Sequence, residues 1–318
     1  MPLSKIKTNS VADEVFEAGS NFIVNGGMQV WQRGTSMAST ANGSNNYTAD
    51  RFWVSHNNAS NVTVSQQDGT GAGIGVQYCA RVQRNSGSSA ANGIRYGTSL
   101  EATDVIRMRG KTLTLSYYAR AGADFSPTSN AMPVYLFTGT DVDPNPNTFA
   151  GGSWNNTVGL VNTTSTLTTS WQRFTHTTAA VSSTANAIIL QFNATETGTA
   201  GANDYFEITG VQLEIGSSET PFQHESYATT LRKCKRYYQE LYQGADQYWV
   251  STNYNSGNNW ATCEFPEMRA IPTATNYYIN SSASSIYIAR NSITWSWSSV
   301  TTYVSTGSNH KFKLDAEL

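Results

Sequence analysis

The sequence predicts an all-β protein: a jelly-roll sandwich, then a short helix, then a smaller antiparallel β-sandwich. Three observations carry this. Charged residues make up 13% of the 318 residues, about half the usual share of ~25%. Ser, Thr, Asn and Gly stand in their place, and these favour turns and strand edges over helix interiors. Apolar residues recur with a period of two from about residue 21 to about residue 222. Aromatic residues are 12% of the chain, so the polar composition is not that of a disordered polymer. The net charge of −2 gives no electrostatic reason for nucleic acid as a partner.

At 318 residues the chain exceeds one ordinary core, and two or three domains are expected. Residues 1–20, MPLSKIKTNSVADEVFEAGS, form a short polar arm that must dock on another surface to be ordered. The arm has two lysines but no apolar run of signal-peptide length, and no stretch of the chain is long and apolar enough to span a membrane. Residues 21–222 hold RFWVSHNN, NVTVSQQ, VQYCARVQR, KTLTLSYYAR, MPVYLFTG, WQRFTHTTAAV, NAIILQFNAT and DYFEITGVQLEIG. Each alternates or runs apolar, and Gly, Asn, Ser or Pro clusters separate them. Eight or more strands without intervening helices argue a sandwich or jelly roll, not a parallel α/β sheet.

Residues 223–243 read as a linker with an amphipathic helix. Tyr227, Leu231, Cys234, Tyr238 and Leu241 fall at steps of 4, 3, 4 and 3, a heptad-like stripe on one face. Arg232, Lys233, Lys235 and Arg236 lie off it, and Ser226, Thr229 or Thr230 serves as the cap. A helix this short must bury its stripe, either in a three-fold seam between protomers or against its own domains. Residues 244–318 return to strands, with Pro266 and Pro272 marking a strand end or edge. Five to seven antiparallel strands are expected there.

The chemistry-bearing residues point away from catalysis. Four histidines are scattered, and GxSxG, HExxH and phosphate-loop motifs are missing. The three cysteines, Cys79, Cys234 and Cys263, form no CxxC and read as free thiols. Asp141, Asp143, Asn145 and Asn147 have the spacing that opens a calcium loop, but Pro146 stands where that loop needs Gly, and Gly152 where it needs Glu. No metal or cofactor is expected, and the chain reads as a non-enzyme. Sugar recognition needs aromatic faces beside amides, and the C-terminal part has both. The candidates are Trp249, Asn259, Trp260, Trp295 and Trp297. Trp295 and Trp297 share one strand face, which equally suits a core or a protomer interface.

Two stretches carry a resemblance. NFIVNGGMQVWQRGTS with YTADRFWV, and WQRFTHTT followed by VQLEIGSSETPFQHESYATTLRKCKRYYQ and the terminal FKLDAEL, resemble the opening and close of the carbohydrate-binding-module-like jelly roll in bacteriophage tail and fibre proteins. The resemblance covers roughly residues 21–318. It implies a virion fibre protein of the tail-fibre type that attaches to host surface glycans, made in the host cytoplasm and assembled as a homotrimer. The N-terminal arm would meet other virion proteins. A capsid decoration or head-fibre protein without a receptor, and a stand-alone carbohydrate-binding module, fit the same residues.

Overall fold

The computed structural model describes residues 20–39, 46–56, 62–90, 93–150, 153–242, 251–254, 258–276, 283–297 and 311–318. The N-terminal arm lies outside them except for Ser20. The chain forms two compact units, Met1–Tyr227 with Leu318, and Ala228–Glu317. The expected linker 223–243 is therefore divided between the units.

The first unit contains β1 (Ser36–Ser39), β2 (Asn46–Tyr47), β3 (Trp53–His56), β4 (Val62–Asp68), β5 (Tyr78–Arg84), β6 (Ile94–Leu100), β7 (Thr112–Ala121), β8 (Ala131–Gly139), β9 (Val158–Thr166), β10 (Gln172–Ala180), β11 (Ala187–Ala194) and β12 (Tyr205–Ile215). Two short helices, α1 (Ala102–Met108) and α2 (Pro146–Ala150), interrupt them. One six-stranded sheet, sheet A, runs β1-β4-β5-β12-β7-β10, and the other, sheet B, runs β2-β3-β6-β11-β8-β9. All strand pairs are antiparallel. The two sheets form the jelly-roll sandwich that the period-two pattern predicts.

Alternation builds the core. Val62, Val64, Ala80, Val82, Leu113, Leu115, Tyr117, Phe206 and Ile208 of sheet A meet Val54, Tyr96, Val134, Leu136, Leu190 and Phe192 of sheet B in one buried cluster. The intervening residues face outward. Strand β12 keeps its apolar side inward only because its register shifts between Thr209 and Gln212. Gly210 sits in that shift at φ 59°, a left-handed conformation that glycine adopts freely. Beyond it Val211, Leu213 and Ile215 rejoin the core.

After β12 the chain folds back over the outer side of its own sheet. Thr220 donates its backbone N–H (2.9 Å) and hydroxyl (2.7 Å) to the Glu214 carboxylate. The Gln223 N–H donates to Gln212 Oε1 at 2.9 Å. His224 Nε2 meets the Ile74 carbonyl oxygen at 2.7 Å. Gln212 and Glu214 are fully buried beneath this strap, and the strap satisfies the polar groups that the bulge turns away from the core.

One end of the sandwich is held by Arg84, whose side chain is 1% exposed. Its guanidinium donates to Asp204 Oδ2 (3.0 Å), Ser126 Oγ (3.2 Å), and the carbonyls of Thr197 (3.2 Å), Ser88 (2.6 Å) and Gly198. Cys79 is a buried free thiol, and burial pushes it up to about 12.

The second unit contains α3 (Tyr227–Lys235), whose first residue belongs to the first unit, then β13 (Tyr238–Tyr242), β14 (Ser251–Tyr254), β15 (Asn258–Glu264), β16 (Thr273–Asn276), β17 (Ala283–Ile288), β18 (Ser292–Trp297) and β19 (Lys311–Asp315). They form a three-stranded sheet, β13-β19-β16, and a four-stranded sheet, β14-β15-β18-β17. Phe265, Met268, Ile293, Phe312 and Leu314 make their core.

The helical stripe read from the sequence is too long. The helix stops at Lys235, and Tyr238 and Leu241 lie on β13, opposite Asp315 and Phe312 of β19. Pairing with β19 lets Leu241 pack against the Phe312–Leu314 cluster, a gain that overrides the helical spacing. On the helix itself Cys234 is buried, Leu231 is half-buried, and Tyr227 is 55% exposed. The five residues do not form one stripe.

Candidate functional site: the outer face of sheet B

The outer side of sheet B carries a continuous cross-strand row. Asn162 of β9 stands opposite Tyr135 of β8, Tyr135 opposite Gln191 of β11, Gln191 opposite Gly97 of β6, Gly97 opposite Trp53 of β3, and Trp53 opposite Tyr47 of β2. The row crosses six strands, a span of about 24 Å at ~4.8 Å per strand. These residues face outward because Val54, Tyr96, Leu190, Phe192, Val134 and Leu136, their chain neighbours, fill the core.

Glycine at position 97 makes the row possible. A Cβ there would stand 2.3 Å from the Leu190 carbonyl oxygen and 2.9 Å from the Trp53 ring. The indole therefore lies against bare backbone and is itself 1% exposed. Beside it Ala187, Ile189, Trp154, Phe137, Phe149 and Tyr47 form a small apolar cluster separate from the main core. The rings of Tyr135, Phe137, Phe149 and Trp154 follow one another at centroid distances of 5.9, 5.2 and 5.2 Å. Tyr135, Phe137 and Phe149 keep part of their surface in solvent.

Three polar atoms on this face are buried without a hydrogen-bond partner: Trp53 Nε1, Ser99 Oγ and Asn193 Oδ1. Ser99 lies two residues along β6 from Gly97, and Asn193 lies two along β11 from Gln191, opposite Arg95. Each such group costs ~1–3 kcal/mol. One is a donor, one an acceptor and one, the hydroxyl, is both. Ring faces flanked by mixed donors and acceptors are the surface that a polyhydroxylated ring complements.

Of the residues expected from sequence to contact sugar, Asn259 and Trp260 lie on β15 and Trp295 and Trp297 on β18 of the second unit. Trp249 falls outside the described residues. Trp260 stands opposite Ser296, and Asn259 and Ala261 stand opposite Trp297 and Trp295.

The Asp141–Asn147 loop is engaged in local contacts. Asp141 accepts from the Asn155 backbone N–H (2.6 Å) and side chain (2.7 Å), which holds its carboxyl below the usual range. Asp143 Oδ1 caps α1 through the Ala102 N–H at 2.8 Å. Asn145 Oδ1 accepts from the Asn147 N–H at 2.9 Å. Among the described residues no group of three or more His, Cys, Asp or Glu side chains is placed to hold a metal. No helix among them is long and apolar enough to cross a membrane.

No protein-family model and no curated protein matches the sequence. Among solved structures the chain is similar to a CBM4 structure, at 17% identity and TM-score 0.37, covering 60% of this chain and 98% of that one. It is similar to the enzymatically active domain of bacteriophage CBA120 tailspike protein 4, at 11% identity and TM-score 0.37, covering 62% of this chain and 21% of that one. It is also similar to TmCBM61 in complex with β-1,4-galactotriose, at 11% identity and TM-score 0.36, covering 62% of this chain and all of that one.

Proposed function

We propose that the chain is a non-catalytic glycan-binding protein of a bacteriophage fibre, and that it holds neutral sugar on the outer face of sheet B. The observation that supports this is the row Asn162–Tyr135–Gln191–Gly97–Trp53–Tyr47, lying beside the unpartnered Trp53 Nε1, Ser99 Oγ and Asn193 Oδ1. Sugar rings stack on the Tyr135–Phe137–Phe149 rings, and their hydroxyls, which both donate and accept, meet the amides. The placement on a phage fibre, with the N-terminal arm on the particle and trimeric assembly, is supported by the sequence motifs alone. Several copies on one particle would raise a weak single-site affinity to useful avidity.

The test has two arms. Calorimetric titration of a panel of neutral oligosaccharides into the wild-type protein and Gln191→Ala should give binding that the variant loses. Equal binding by both proteins overturns the assignment of the face. Immunogold electron microscopy of virions with antibody against residues 244–318 should label the tail or fibre tips. Label over the head favours decoration, and unlabelled particles favour a stand-alone module.

A further inference from the structure

The outer face of sheet A has the opposite chemistry. Arg81 of β5, Glu207 of β12 and Arg120 of β7 stand side by side in one row. Glu207 is fully buried between the two guanidiniums, with Arg81 Nη2 at 2.7 Å and Arg120 Nε on its other oxygen. Each arginine lies over a ring: Arg81 over Tyr205 at 4.0 Å and Arg120 over Trp171 at 5.0 Å. In the next row Thr209 faces Tyr118, and Tyr118 faces Arg173, whose guanidinium lies 5.8 Å from the Tyr118 ring.

Two arginines meet Glu207 and keep guanidinium surface outward, and Asp68 lies near Arg120, its carboxyl held below the usual range chiefly by the Thr70 N–H. The side chains of Arg81 and Arg120 are 24% and 30% exposed. Two polar atoms here are buried without a partner, Trp171 Nε1 and Arg173 Nε. Both are donors. On sheet B the unpartnered atoms include acceptors; here none is an acceptor, so the missing group is one that only accepts. We propose that this face is a second binding site, and that it takes the carboxylate of an acidic sugar. The sugar lies beside Tyr205 and Trp171, its carboxylate meets the outward guanidinium edges of Arg81 and Arg120, and its remaining acceptor oxygens meet the Trp171 and Arg173 N–H groups. The inference extends the glycan-binding reading to a second class of sugar at a separate place.

The experiment compares a galacturonate hexasaccharide with its fully methyl-esterified form, by calorimetry at low salt, on the full chain. The acid should bind and the ester should bind at least tenfold more weakly. Arg120→Gln should remove most of the acid binding. Trp171→Phe, which keeps the ring and deletes the N–H, should weaken it several-fold, and Gln191→Ala should leave it intact. Thermal melts confirm that each variant is folded. Equal affinity for acid and ester, or acid binding lost in Gln191→Ala and kept in both sheet A variants, overturns the proposal. The neutral-sugar titrations report separately on sheet B.

Discussion

The two outer faces of the sandwich come from the same alternation and end in opposite states. On sheet A the outward residues of β12 are charged or amidic, and the chain covers part of them with its own Thr220–Gln223 strap and the rest with arginines. On sheet B the outward residues are rings, glycine and amides, and three polar atoms are left without partners. Sheet A keeps two such atoms, Trp171 Nε1 and Arg173 Nε, both donors; a buried polar group is costly unless satisfied, so the kind of atom left unpaired distinguishes the two faces. Face polarity alone does not mark a site; the balance of partners does.

The most damaging way to break this contrast is Gly97→Ala. The added methyl would meet the Leu190 carbonyl oxygen at 2.3 Å. Forcing β6 from β11 should cost about 3 kcal/mol, read as a lower urea midpoint, and should abolish neutral-sugar binding. Glu207→Ala strips the carboxylate from between two partly solvated arginines. It should cost about 2 kcal/mol by the same measurement and leave neutral-sugar affinity unchanged. Tyr135→Ala inverts that pattern, with about tenfold weaker neutral-sugar binding, or ~1.4 kcal/mol, and an almost unmoved melt. If Tyr135→Ala unfolds the protein instead, the ring is structural and the contrast fails.

Two finer tests sharpen it. Thr220→Val removes the hydroxyl that donates to Glu214 at 2.7 Å and keeps the backbone bond, which should cost about 1 kcal/mol and speed hydrogen exchange in residues 217–224. The smallest effect concerns His176, whose Nε2 lies 3.3 Å from the Tyr117 hydroxyl. Burial lowers its pKa below the ordinary 6.5. The unfolded chain then binds a proton that the folded one refuses as pH falls below that value, so stability declines with falling pH until the folded pKa is reached. The melting temperature of wild type should therefore drop more than that of His176→Phe between pH 7 and pH 5.

The β class and most strands of the sandwich were legible because the buried side of each strand repeats every second residue. The helix was half legible. Its spacing fitted Tyr227 to Cys234, but the same spacing ran on into Tyr238 and Leu241, whose partner, β19, lies some seventy residues away in sequence. Local periodicity holds no record of such a pairing. The row on sheet B draws Tyr47 and Trp53 from YTADRFWV, Tyr135 from MPVYLFTG and Gln191 from NAIILQF, segments far apart in the chain. A trace was present in MPVYLFTG, where Tyr135 and Phe137 alternate with Val134 and Leu136, giving a strand apolar on both sides. Which side meets the core depends on the sheet order, and that order is set by long-range contacts.

The buried guanidinium of Arg84 has a practical consequence for handling and for habitat. Its donors gather three carbonyls, a hydroxyl and a carboxylate from separate loops, much as a bound ion would, but the charge is covalently part of the chain. Chelators, dialysis and dilution cannot remove it. That end of the sandwich should keep its melting temperature in EDTA and in ion-poor water, and a single codon, not the composition of the medium, governs whether the loops stay closed.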